Sequence, residues 1–339
     1  MNAPYLEIES IQKDYTDFSL AMSLSCEKGE TVVILGPSGG GKTTFLRILA
    51  GLIAPDCGRI LLEGRDITGL PPQQRGVGLV FQDFALFPHY DVAGNVAYGL
   101  KARQPRPRPP EIAAQVESLL SRFSLAGFGG RRIEGLSGGE RQRVALARAM
   151  AVSPGLMLFD EPLGSLDATL RKELRSELRV LQRELGYTSI SVTHDQEDAL
   201  AVADRVVIMR DGRMLQTGTP EEIYARPKTA FVASFFGDSN LIPREATPGE
   251  RSLCFVRAEQ LRLVDSEILS SDRGQLLELV VNDFEYRGRD YLVKGQPRTP
   301  GLTATAPICF RMPERPRLGD VVRVELPLEA LLTIVDDRS

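Results

Sequence analysis

The chain has 339 residues, 42% of them hydrophobic and 25% charged, with a formal net charge of −4. This is the composition of an ordinary globular protein long enough for two cores, which excludes a disordered chain and gives no basic footprint for wrapping nucleic acid. No apolar run reaches the roughly 18 residues that cross a bilayer, and the N-terminal MNAPYLEIES has neither a basic nor an apolar leader region, so no signal peptide is expected.

Residues 5–35 read as strands. Phe18, Leu20, Met22, Leu24 and Cys26 alternate at period two, and TVVIL (31–35) is a short buried run closed by glycine. TTFLRILAGL (43–52) has helical spacing, APDCG turns the chain into the strand RILLEG, and VGLVF (77–81) is a further apolar strand. Around 104–110 the sequence QPRPRPP can be neither helix nor central strand and reads as an exposed connector. Helical patterns flank it at about 92–101 and 111–123, which makes 83–135 a helical insertion. Strand-like runs return at LMLFD (156–160), SISVT (189–193) and RVVIM (205–209), with a long helical stretch over 167–185. Apolar strands alternating with helices predict an α/β fold on a largely parallel sheet. After FVASFFGDSN (231–240) the pattern changes to short alternating runs broken by Gly and Pro: LCFVR, QLLELVV, DYLVKG, TAPICF and VVRVEL. They predict a small all-β barrel or sandwich. Cys26, Cys57, Cys254 and Cys309 are scattered and read as reduced, mostly buried thiols of a cytoplasmic protein; His89 and His194 are too few for a His-rich metal site.

Residues 36–43, GPSGGGKT, satisfy G-x-x-x-x-G-K-[ST] between a strand and a helix, the context that makes the motif specific. Gly36, Gly39, Gly40 and Gly41 let backbone N–H groups turn onto phosphate oxygens, with Ser38 and Thr44 alongside. Lys42 brings a point charge to the β/γ-phosphates, and the Thr43 hydroxyl is placed to ligate Mg²⁺. LMLFDEP sets two carboxylates at the end of a buried strand: Asp160 as partner of the metal, and Glu161, pointing elsewhere, as a general base for water. Gln82 ends VGLVF and can reach metal or water; His194 ends SISVT and can reach the γ-phosphate; Tyr15 can stack on a base. Each of these three is a common structural residue when taken alone.

GLSGGERQRVALARAM (135–150) poses a further question. Ser137 and Glu140 match a capping box, and Leu146, Ala149 and Met150 share one helical face. Capping does not require Gly138 and Gly139, which cost about 1 kcal/mol each inside a first helical turn. Glycines at a helix N-terminus also suit an anion. The stretch alone leaves cap and anion site equally open.

In combination, the phosphate loop at 36–43, Gln82, LSGGE at 136–140, LMLFDE at 156–161, SLD at 165–167 and His194 resemble the ATP-binding-cassette ATPases in order and spacing, over residues 1 to about 238. VFQDFALFPHYDVAGNVAYGLK looks like the cassette of bacterial binding-protein-dependent importers, and the β tail resembles their TOBE-type, OB-like extension. The resemblance implies a P-loop cassette at 1–238 with a helical subdomain at about 83–152, and a regulatory β domain at 239–339. It implies Tyr15 as the adenine-stacking aromatic and Gln82 as the link from Mg²⁺ and water to membrane subunits. Ser137, Gly138, Gly139 and Glu140 become the signature for the partner copy's ATP, Glu161 the base, Asp167 the dimer-contacting D-loop aspartate, and His194 the switch histidine. The chain departs from many relatives at Glu140 and Arg141, and at Gly164 before SLD.

The function so implied is an ATPase at the cytoplasmic face of the plasma membrane. Two copies sandwich two Mg-ATP and work with integral permease subunits, indirectly with a solute-binding protein, and not with nucleic acid. DNA-repair and chromosome cassettes carry a long coiled coil that 83–135 cannot hold, and translation-factor cassettes come in pairs. Tyr286, Arg287, Arg289 and Tyr291 would suit an oligonucleotide-binding β module, but the chain lacks a broader basic stripe. The single short tail favours ferric iron, an inorganic anion or a polyamine as cargo over a sugar, although cargo is chosen by subunits outside this chain.

Overall fold

The computed structural model describes residues 3–164, 167–243, 252–264, 274–298 and 307–338. Strands β1 (Leu6–Asp14), β2 (Ser19–Cys26) and β3 (Thr31–Leu35) lead into helix α1 (Lys42–Ala50), followed by β4 (Cys57–Leu62), β5 (Arg65–Asp66) and β6 (Val77–Val80). Helices α2 (Val92–Ala102), α3 (Pro109–Arg122) and α4 (Gly138–Met150) form the insertion. The chain returns through β7 (Leu156–Asp160), α5 (Ala168–Leu185), β8 (Thr188–Thr193), α6 (Gln196–Val202), β9 (Arg205–Arg210) and β10 (Arg213–Gly218).

Among the described residues these strands make one ten-stranded sheet in the order β5-β4-β1-β2-β10-β9-β3-β8-β7-β6. The block β9-β3-β8-β7-β6 is parallel, with Leu35 opposite Thr193, Asp160 opposite Val192 and Val80 opposite Phe159. Along β7, Met157 and Phe159 enter one core with the insertion helices, while Leu156 and Leu158 enter the other with α1. Burial on both faces explains why LMLFD reads as a continuous apolar run rather than an alternation. The C-terminus of α1 is closed from outside: buried Arg75 donates to Ile48 O at 2.8 Å, which also accepts from the C-cap Gly51 N–H, and to Leu49 O at 3.0 Å, in the last turn where carbonyls run short of intrahelical donors.

The chain divides into two compact units, Met1–Pro220 and Glu221–Ser339. The sequence reading places the division at 238, after the apolar FVASFF stretch. The second unit in fact takes with it the short helices α7 (Pro220–Ala225) and α8 (Ala230–Phe235). The reason is Arg257, buried and donating to Tyr224 O at 2.8 Å, Ala233 O at 2.9 Å and Phe236 O. A buried guanidinium with three carbonyl acceptors ties both helices to the β unit.

That unit continues with β11 (Ser239–Pro243), β12 (Ser252–Arg257), β13 (Arg262–Val264), β14 (Gly274–Tyr286), β15 (Tyr291–Pro297), β16 (Ile308–Met312), β17 (Val321–Pro327) and β18 (Leu332–Val335). They form sheets β11-β12-β18 and β13-β17-β14-β15-β16, sharing a core in which Ile242 and Val256 meet Leu277, Val293 and Phe310. Of the four cysteines only Cys26 is fully buried; Cys254 and Cys309 are half-buried and Cys57 is exposed, which corrects the expectation of mostly buried thiols. Cys57 opens an edge strand, and Cys254 and Cys309 sit on half-covered sheet faces.

Candidate functional site

Sheet order assembles the site. Because β8 lies between β3 and β7, and β6 follows β7, the segments leaving their carboxyl ends stand in a row: 36–43 after β3, His194 after β8, Glu161 after β7 and Gln82 after β6. Open parallel sheets bind ligands at this edge.

The 36–43 loop is held from below. Gly212, in the turn between β9 and β10, donates its N–H to Gly40 O at 3.1 Å. Gly41 has φ +95°, and a Cβ there would come within 2.4 Å of the Phe18 ring, so no other residue fits. Lys42 Nζ is buried and donates to Gly36 O at 2.8 Å and Pro37 O at 2.9 Å. Burial pushes its pKa down, opposed by the charges of Glu161 and Asp160. Ser38, Gly39, Gly40, Gly41, Lys42, Thr43, Thr44, Phe18 and Glu161 line a pocket of about 260 Å³. A buried cation and a ring of glycine backbone at a helix N-terminus suit a polyphosphate.

Thr43 Oγ1 donates to Asp160 Oδ1 at 3.0 Å, joining the loop to the end of β7. Burial raises the Asp160 pKa, with the Thr43 hydrogen bond and Arg47 pulling it back down. Glu161 occupies the left-handed region at φ 48°, its N–H donating to Val192 O at 3.0 Å. Its carboxylate meets His194, whose Nδ1 lies 3.0 Å from Glu161 Oε1. Strained φ at a non-glycine residue concentrates where a side chain must be aimed. A Cβ at Gly164 would stand 3.3 Å from Glu161 Oε2 and 3.5 Å from Gln82 Nε2, so both groups border the bare backbone of Gly164. The structure thus brings Lys42, Thr43, Asp160, Glu161, His194 and Gln82 to one edge.

Other candidates lie apart from the pocket lining. Tyr15 is exposed, its ring 6.3 Å from that of Phe18. Phe18 is the aromatic that lines the pocket, and it was read from sequence only as one member of a period-two core face. Ser137 and Glu140 form the capping box of α4, with Glu140 N donating to Ser137 Oγ at 3.3 Å and Ser137 N to Glu140 Oε2 at 2.6 Å. Ser137 is exposed and Gly138 half-buried. Gly139 is buried for a packing reason: a Cβ there would stand 3.2 Å from Leu170 on α5. Asp167 caps α5, accepting from Thr169 N and Leu170 N at 3.1 Å; Ser165 and Leu166 of the SLD segment lie outside the described residues.

Sequence reasoning also missed Arg148. From α4 its guanidinium donates to Phe84 O at 2.8 Å and Ala85 O at 2.6 Å, both residues having positive φ. It clamps the turn that begins two residues after Gln82. One arginine in an Arg-rich helix gave no signal of that role. In the β unit, Arg287 pairs with Glu285 at 3.0 Å and Arg311 with Asp290 at 2.9 Å, so these cations are offset by local acids.

The family described as ABC transporter matches residues 20–164. The chain is 48% identical to a sulfate/thiosulfate import ATP-binding protein of Chromobacterium violaceum, over 91% of this chain and 89% of that protein. It is 47% identical to an Fe(3+) ions import ATP-binding protein of Rhizobium etli, over 74% of this chain and 70% of that one. Among solved structures it resembles a dimeric post-hydrolysis ATP-binding cassette bound to ADP and Pi, with TM-score 0.56 and 28% identity over 63% of this chain and 98% of that chain. It also resembles cbiO1 of Clostridium perfringens, part of the ABC transporter complex cbiONQ, with TM-score 0.59 and 28% identity over 66% of this chain and 92% of that chain.

Proposed function

The chain belongs to the ABC transporter family of ATPases, and on that premise we propose that it is the ATP-hydrolysing subunit of an importer for sulfate-type anions or ferric iron. The observation that carries the catalytic reading is the contiguous set of Lys42, Thr43, Asp160, Glu161 and His194 around the phosphate pocket. The cargo reading is supported by curated relatives that are sulfate/thiosulfate and Fe(3+) import proteins. A polyamine fits the length of the β tail equally.

The geometry supports the following roles. The backbone N–H groups of 38–44 and the Lys42 ammonium hold the polyphosphate of ATP. Glu161 Oε1 or Oε2 accepts the proton of the attacking water, and His194, hydrogen-bonded to Oε1, holds the carboxylate in place and reaches towards the γ-phosphate. Gln82, whose amide borders Gly164 as the Glu161 carboxylate does, positions that water. The Thr43 hydroxyl, the Asp160 carboxylate and the Gln82 amide are an all-oxygen donor set, two of them 3.0 Å apart, which fits Mg²⁺, a cation that takes few protein ligands beside phosphates. When bound, Mg²⁺ would neutralise charge developing on the β- and γ-oxygens.

The signature at 137–140 acts on the ATP of a second copy. Supporting this, no residue of 136–140 lines the phosphate pocket, while Ser137 and Gly138 keep solvent exposure at the positive end of α4. A head-to-tail C₂ dimer puts each signature over the other chain's loop. Permease subunits and a membrane-peripheral location complete the reading; no helix among the described residues is long and apolar enough to cross a membrane.

The test mixes two variants in a Glu161→Gln background: Lys42→Ala, which weakens the loop, and Ser137→Arg, which blocks the signature. If sites are shared, the heterodimer has one doubly damaged and one intact site, and occludes one ATP, whereas each homodimer occludes none. A paired heterodimer that occludes no ATP would overturn the shared site.

A further inference from the structure

A large cleft of the first unit lies at the opposite edge of the sheet from the phosphate loop. Strands β7 and β8 begin there, at Leu156 and Thr188, and run away from it towards Glu161 and His194. Its volume is about 430 Å³, within the range of pockets that enclose a small organic molecule. Tyr5, Leu119, Phe123 and Tyr187 give it flat apolar walls, and Lys28 and Arg122 bring positive charge. No aspartate or glutamate lines it. Lys28 stands 5.5 Å above the Tyr5 ring and pairs only loosely with exposed Glu63, 3.9 Å away. Arg122 makes no ion pair or side-chain hydrogen bond among the described residues. Two cations against a single bordering carboxylate, Glu63, which lies beside both Lys28 and Tyr5, leave an excess of positive charge that favours an anion, and the ring-lined walls favour a flat apolar body.

The cleft sits where the helical layer meets the sheet. On one side is α3, tied across by Gln115 Nε2 donating to Ala151 O at 3.1 Å; on the other, Tyr5 OH donates to Gly155 O at 3.0 Å. Tyr187 is a shared wall. Its ring lies 6.3 Å from that of Phe159, the residue before Asp160, and it also faces an inner cavity of about 50 Å³ lined by Pro162 and Leu163, the residues after Glu161. Close-packed interiors transmit displacement, so a molecule pressing on Tyr187 acts on both flanks of the catalytic carboxylates.

We propose that this cleft binds a small ring-bearing organic anion, and that its occupancy slows ATP turnover by wedging α3 and Tyr187 against the sheet. The effect on turnover rests on the assignment of Glu161 above; the binding does not.

The probe is 1-anilinonaphthalene-8-sulfonate, titrated into the full chain and read by fluorescence. One saturable site is expected. Its affinity should fall about tenfold in Lys28→Glu and in Arg122→Glu, as for loss of one charge-assisted contact, and similarly in Ser118→Trp, which fills the cleft. A naphthyl amine of similar size should not displace the probe. Saturating probe should slow turnover about fivefold, the low end of allosteric couplings, and Arg122→Glu should abolish that effect while leaving basal turnover unchanged. Glu161→Gln should bind the probe with unaltered affinity, which separates failure of the cleft from failure of the catalytic assignment. Absence of a saturable site, or affinity unchanged in both charge reversals, would overturn the site. Saturable binding without any change in turnover would overturn the coupling.

Discussion

Replacing Glu161 by glutamine should leave a protein that folds and binds ATP but scarcely hydrolyses it. Glutamine has the same shape, and its carbonyl oxygen can still accept from His194 across the 3.0 Å contact. The bond from the backbone N–H of residue 161 to Val192 O, also 3.0 Å, does not involve the side chain. Stability should therefore move by no more than about 0.5 kcal/mol. What is lost is the proton acceptor, and a positioned base contributes about 10²–10⁴-fold, or about 3–5 kcal/mol of barrier. Affinity should move in the opposite direction. Glu161 lines the phosphate pocket, so removing its negative charge relieves repulsion against a polyphosphate. Phosphate release at saturating ATP reads the first effect, a fluorescent-nucleotide titration the second, and gel filtration the long-lived ATP dimer that should accumulate. His194→Ala keeps the base but removes its hydrogen bond, so it should cost less, about tenfold. Turnover by Glu161→Gln within about threefold of the parent, in protein shown to bind ATP, would refute the assignment.

Asp160→Asn should abolish turnover yet raise the melting temperature at pH 7. Burial lifts the native Asp160 pKa above 3.8, so the folded state carries a penalty for the charge above that native pKa, and the penalty fades as pH falls towards the unfolded value. The gain from asparagine should shrink below about pH 5, and a calorimetric loss of stability at pH 7 would contradict it. Arg148→Ala should cost about 1–3 kcal/mol in urea denaturation, because Phe84 O loses its donor in a part-buried bond while exposed Ala85 O can turn to water, with Arg148→Lys costing less; an unchanged midpoint would count against the clamp. A chain ending at Pro220 should bind Mg-ATP by calorimetry. One ending near Asn240 should aggregate, since it keeps α7 and α8 without the Arg257 that holds them. A folded, soluble 1–220 chain that fails to bind ATP would argue against the first unit as the complete nucleotide module.

Legibility followed the range of the interactions involved. The phosphate loop could be read because its requirements are local: glycines for the backbone, Lys42 for charge and Thr43 for a hydroxyl must be consecutive. LMLFDE could be read because a strand buried on both faces is a continuous apolar run ending at its chemistry. The elements that escaped notice lack such a local signature. Strand β10, RMLQTG, is exposed along much of its length and is held by pairing with β9. Helices α6, α7 and α8 have six or seven residues, too few for a periodic pattern, and α7 and α8 depend on Arg257. The glycine pair at 138–139 was ambiguous because two pressures coincide there, a helix N-terminus open to an anion and, at Gly139, the approach of Leu170.

By itself, then, the sequence determined which chemistry the chain carries: a polyphosphate loop, two carboxylates on a strand end, a capped signature helix and a change to β periodicity after residue 240. Those features are written in runs of ten residues or fewer, where backbone conformation and side-chain type are coupled directly. Tertiary structure alone decided which of them meet. Strand order brought Glu161, His194 and Gln82 beside a loop 40 to 160 residues away in sequence. Packing placed Phe18 in the wall of the phosphate pocket, and Arg148 as the clamp on the turn after Gln82. Contacts between distant residues are set by how two-sided sheets and helices fill a common core, and no local period records that.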